Sequence, residues 1–168
     1  MISIFERRSA LFSADRRYRN MLRIVWDESK PLIAFVGVNP STADEFGDDP
    51  TIVRCKEFAR LWGYGGILML NLFAFMATDP LQMLTADDPV GPISDVGLEL
   101  RLLDPNVVVV CWGRHGRHRD RGAEVAKQIA KYFSGTRLMC LGTNGDGSPK
   151  HPLYLAASTP LQEFEVTA

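Results

Sequence analysis

Cysteine is scarce in this sequence. Cys55, Cys111 and Cys140 are odd in number, far apart and without a CxxC pair. That excludes a disulfide framework and a cysteine-based zinc site. It reads instead as three buried thiols of a reduced compartment, so a cytoplasmic location is expected. Long hydrophobic runs are also missing. None approaches the ~20 apolar residues of a membrane span, and Met1–Arg8 lacks the order and length of a secretory signal. Charge of one sign is not in excess, and a net charge of −1 selects no partner. Familiar phosphate and nucleophile signatures are absent as well. There is no GxxxxGK followed by Ser or Thr and no GxSxG, and Gly142–Gly147 neither spells GxGxxG nor opens a helix. His115-x-x-His118 lies in an Arg-rich loop without a nearby cysteine or firm carboxylate, so no metal and no cofactor is assigned.

What is present is an ordinary globular composition. A chain of 168 residues, 46% hydrophobic and 23% charged, is expected to form one soluble domain that buries roughly 70% of its unfolded surface. Basic residues are unevenly placed: Arg7, Arg8, Arg16, Arg17, Arg19, Arg23 and Lys30 early, then Arg114, His115, Arg117, His118, Arg119 and Arg121. Such clusters can neutralise phosphates, or can simply be solvated faces.

Residues 1–30 read as a peripheral lead-in, with 18–26 a strand or short helix, and 31–161 as an α/β core. Four short β-branched or aromatic runs, 32–38, 67–73, 107–112 and 137–141, are expected to be buried strands. Helices are expected over about 50–62, 93–103 and 121–133, with a short helical turn from Pro80. Asp49-Pro50 and Asp79-Pro80 each supply an N-cap followed by proline at the first helical position. Strand and helix alternate four times, which predicts a three-layer α/β/α domain around a four-stranded parallel sheet.

Each strand ends in a polar or glycine turn, at Asn39, Asn71, Gly113 and Gly142. In a parallel sheet these ends share one edge, where open α/β sheets place ligands. The stretch Gly37-Val38-Asn39-Pro40-Ser41-Thr42-Ala43-Asp44 is the focal one, since Pro40 ends the ladder and the small polar residues form a turn. An acidic loop follows, with Asp44, Glu45, Asp48 and Asp49; Arg54 is placed to pair with Asp44 or Asp49.

Gly-Val-Asn-Pro-Ser (37–41), Leu-Met-Leu-Asn-Leu-Phe (68–73), Val-Cys-Trp-Gly-Arg-His-Gly (110–116) and His-Pro-Leu-Tyr-Leu (151–155) are similar, in type and order, to motifs of the uracil-DNA glycosylase superfamily. From about Tyr18 to Leu161 the chain also resembles a bacterial and phage family catalogued as domain of unknown function 1643. The glycosylase resemblance implies a uracil-DNA-glycosylase-like fold and roles by position. Asn39 would hold the water that attacks the anomeric carbon, within a pocket also formed by Gly37, Pro40 and Ser41. Asn71 would read a base edge through its amide, which is both donor and acceptor. His151 would stabilise negative charge on the departing base, and Leu155 would be the apolar wedge. Trp112 would lie beside the pocket, and Arg114, His115, Arg117 and Arg119 would meet phosphates.

The chain departs from that pattern. Pro40–Asp44 replaces the usual continuation of the first motif, Leu153-Tyr154 replaces a small Ser-Pro, and the acidic loop would repel a DNA backbone. Plain structural readings stand beside the functional ones: Asn39 and Asn71 as turn caps, His151 as a loop hydrogen-bonder, Asp44 and Asp49 as loop and N-cap residues, Trp112 as core. The expected function is hydrolysis of a nucleobase N-glycosidic bond in DNA or a modified nucleotide. The alternatives are a non-catalytic nucleotide or nucleic-acid binding module on the same fold, and a metal-assisted hydrolase built on Asp44–Asp49.

Overall fold

A computed structural model describes residues 5–92, 95–132 and 137–166. The chain runs β1 (Arg7–Phe12), β2 (Arg19–Val25), β3 (Leu32–Gly37), α1 (Pro50–Leu61), β4 (Gly66–Asn71), α2 (Pro80–Thr85), α3 (Val96–Leu103) and β5 (Val107–Val110). It continues through a 3-10 segment (Arg114–Asp120), α4 (Arg121–Tyr132), β6 (Arg137–Cys140) and β7 (Gln162–Glu163). The helix starts follow from the caps. Asp49 accepts a hydrogen bond from the Ile52 amide and Asp79 accepts one from Leu81, each followed by proline. Residues 93–94 and Phe133, at the ends of two expected helices, lie outside the described residues.

The expected four-stranded parallel sheet is corrected to a seven-stranded mixed one, in the order β1-β2-β4-β3-β5-β6-β7. The four strands read from the sequence occupy its centre and run parallel to one another. An antiparallel hairpin, β1-β2, extends one side and β7 closes the other. The lead-in is therefore not peripheral. Leu22, Ile24 and Val25 of β2 are buried against β4. Charged residues within the hairpin, Arg19 and Arg23, hid this from the hydrophobic pattern.

The strand period of two divides the core between two faces. Ile33, Phe35, Ile67, Met69, Val109 and Cys111 pack with Ile52, Cys55, Phe58 and Ala59 of α1. Ala34, Val36, Leu68, Leu70, Val108, Val110 and Trp112 pack on the other side with Met83, Leu100, Val125 and Ile129 of α2, α3 and α4. The chain leaves β3 towards β4 and later returns to the other flank of β3 with β5, which makes the carboxyl ends of these central strands a topological switch point. No helix among the described residues is long and apolar enough to cross a membrane.

Candidate functional site

The register of β3 and β4 builds the site. Gly37 and Asn71 are direct partners at the carboxyl ends of these strands, and the alternation that places Phe35 and Met69 towards α1 sends Gly37 and Asn71 the same way. A Cβ on residue 37 would lie 2.7 Å from Met69 Cε and 2.9 Å from Asn71 Oδ1. Glycine thus leaves room for the Asn71 amide. Asn71 is 5% exposed, yet among the described residues neither its Nδ2 nor its Oδ1 has a hydrogen-bond partner. An amide buried without partners costs about 1–3 kcal/mol, a penalty that a bound polar ligand would remove.

The amide opens into a cleft of about 30 Å3 lined by Arg19, Gly37, Asn39, Pro40, Ser41, Asp49, Thr51, Asn71 and His151, among others. This volume suits one or two water molecules. Asn39 is clamped by its Nδ2, which donates to the carbonyls of Pro40 (3.1 Å) and Ala77 (2.9 Å). Two carbonyl acceptors take both N–H groups and fix the orientation of the amide. His151 accepts the Leu153 N–H on Nδ1 at 3.2 Å. Burial pushes its pKa below the ordinary 6.5, while the negative charge of Asp49 opposes the shift. The ring is therefore neutral near pH 7 and carries its proton on Nε2, as a donor.

Two wall residues, Arg19 and Asp49, were not among those expected in this pocket. Arg19 is 1% exposed and donates to the Ala43 carbonyl, while its Nε has no partner. Burial lowers its pKa to about 10, with Asp49 and Asp44 opposing, so it stays charged at neutral pH. Asp49 was legible as an N-cap. That the same carboxylate also faces the cleft, buried beside Arg19 and His151, needed the three-dimensional packing of β2 against β4.

The structure brings Gly37, Asn39, Pro40, Ser41, Asn71 and His151 together and leaves the other candidates outside. Trp112 has the parity of Val108 and Val110, so it points to the α4 face. There it meets Phe164 edge-on at 6.0 Å and covers Gly116 and Gly122, beside a separate cavity of about 320 Å3. Arg114, His115, Arg117 and Arg119 are exposed on the 3-10 segment, with Arg117 3.6 Å from Asp146 and Arg119 donating to the Ala86 and Asp87 carbonyls. Leu155 is half-buried against the α1-side core. The freely exposed side chain in that loop is Tyr154. Arg54 pairs with Glu57 and the Leu155 carbonyl rather than with Asp44 or Asp49.

The acidic loop is neutralised from within the chain. Arg8 meets Asp48 at 2.7 Å, Lys56 meets the same carboxylate at 2.7 Å, and Arg16 meets Glu45 at 3.2 Å. Asp44 is taken up by the amides of Phe46 and Gly47. Its charge therefore does not stand unopposed against a polyanion, and among the described residues no three acidic, histidine or cysteine side chains gather as a metal-ligand set.

A family model described as "Protein of unknown function (DUF1643)" matches residues 17–153. No curated protein and no solved structure matches the chain. The matched segment spans every residue of the cleft, from Arg19 to His151, and the chain belongs to this family of proteins of unknown function, DUF1643.

Proposed function

We propose that the cleft recognises the polar edge of a nucleobase and hydrolyses its N-glycosidic bond, in DNA or in a modified nucleotide. The observation that supports this reading most is the Asn71 amide, buried and unpartnered beside Asn39 and His151. Its adjacent donor and acceptor match the acceptor–donor edge of a base. The likeness to glycosylase motifs in the same chain order points the same way. The cleft is water-sized, so the polar edge of a base enters it while the ring lies at its mouth. Asn39 offers an oxygen to the attacking water, and the His151 Nε2–H faces the charge that develops on the departing base.

Base release from oligonucleotides carrying uracil, hypoxanthine, mismatched thymine or modified pyrimidines, single- and double-stranded, tests the proposal. Release that falls at least 100-fold in Asn39→Ala while binding persists is the expected result. An unchanged rate removes Asn39 from the chemistry. A second reading is binding without hydrolysis, favoured by the spending of both Asn39 N–H groups on backbone carbonyls. It predicts binding without release, with affinity that weakens as salt rises where Arg114, Arg117 and Arg119 meet phosphates.

A further inference from the structure

We infer that Asp49, the N-cap of α1, is the carboxylate base of the cleft and takes the proton from the attacking water. This rests on the proposed hydrolysis and supplies what the first motif lacks, since an asparagine at position 39 cannot accept a proton at neutral pH. Three observations converge on Asp49. It is buried, with 6% of its surface exposed, and it lines the same water-sized cleft as Asn39, Asn71 and His151. Its capping duty leaves acceptor capacity unused: Oδ1 receives the Ile52 N–H at 2.9 Å, and Oδ2 receives only a long contact from Ala43 N–H at 3.4 Å. Each carboxylate oxygen has a second lone pair for water. The unpartnered Asn71 amide and Arg19 Nε in the same walls independently mark the cleft as built around a polar ligand.

The chemistry balances on these groups. The water oxygen forms a bond to the anomeric carbon as one O–H proton passes to the Asp49 carboxylate. The glycosidic C–N bond breaks with its electron pair on the base nitrogen, facing the His151 Nε2–H. The base anion then recovers a proton, and Asp49 returns to its ionised form. The negative charge of Asp49 faces the buried guanidinium of Arg19 across the cleft.

Asparagine caps a helix as well as aspartate does, so Asp49→Asn separates the two roles. The expected result is a retained helix and a cooperative melting transition, lowered because Arg19 loses a facing charge, with base release reduced about 10²–10⁴-fold and oligonucleotide binding within a few-fold. If Asp49→Asn does not fold, Asp49→Ser, which also caps, takes its place. Turnover within three-fold of wild type in a folded variant overturns the role of Asp49 alone. No turnover by the wild-type protein on any substrate overturns the proposed hydrolysis and, with it, this role.

Discussion

Replacing Asn71 by leucine should make the protein more stable and inactive at once. The two side chains are similar in size and shape, and the space at this position is set by the missing Cβ of Gly37. In the wild type neither polar atom of the buried amide has a protein partner among the described residues, a cost of at most about 1–3 kcal/mol. Leucine removes that cost and adds apolar contact with Met69 and the α1-side core. For a domain of this size each kcal/mol moves the melting temperature by about 2–4 °C, so a gain of about 2 kcal/mol appears as a rise of about 4–8 °C. Urea unfolding should show a higher midpoint at an unchanged slope. Binding of nucleobase-containing oligonucleotides should fall to background in the same preparation, because the unpartnered amide edge of Asn71 is gone. A loss of more than 1 kcal/mol in Asn71→Leu would refute the reasoning, since it would mean that the amide already has partners in the unliganded protein.

Gly37→Ala forces its new methyl against Met69 Cε and Asn71 Oδ1. The thioether end can swing away, so a stability loss of about 1–2 kcal/mol by urea titration is expected; the amide is displaced, and binding should weaken at least ten-fold. Lys56 is nearly buried and bridges Glu6 and Asp48 at 2.7 Å each. Lys56→Ala should cost about 2 kcal/mol near neutral pH. Burial opposes ionisation of Asp48, but the hydrogen bonds from Lys56 and Arg8 outweigh it and hold its pKa below 3.8. That contribution is present above pH 3.8 and is lost as pH falls through the lowered value, so wild type and variant should converge in strong acid. His151, with its folded pKa below 6.5, contributes stability that is present above pH 6.5 and lost as pH falls through the lowered value. Its NMR titration should lie below that of a free histidine, and lower still in Asp49→Asn, where the opposing charge is gone; a midpoint at or above 6.5 in the wild type would contradict the burial of the ring.

The assembly of the cleft also explains why the hairpin is part of the domain. Glu6, Arg8, Asp48, Lys56 and Arg60 form a network of charged contacts that ties β1 to α1 and to the acidic loop. Arg19 reaches from β2 to the Ala43 carbonyl, and Asp49 reaches to the Ala43 amide. The loop after Asn39 is therefore held from both sides by side chains that also line the cleft, so its conformation and the charge balance of the site are set together.

The sequence by itself determined the four central strands, because their apolar runs are short, β-branched and bounded by turn residues. It also determined the starts of α1 and α2, where aspartate followed by proline leaves the helix little choice. The convergence of Asn39 and Asn71 followed from strand ends that share an edge. Tertiary structure decided the rest. The hairpin joins the sheet although its arginines break the apolar pattern, because those charges find carboxylates and carbonyls that lie far away in the chain. Trp112 leaves the site by the strand alternation that brings Cys111 to the α1 face, a parity fixed only once the register with β3 is known. Asp49 and Arg19 enter it because a helix cap and a strand end meet across the cleft. Local preference sets what a residue does along the chain; only packing sets what stands opposite it.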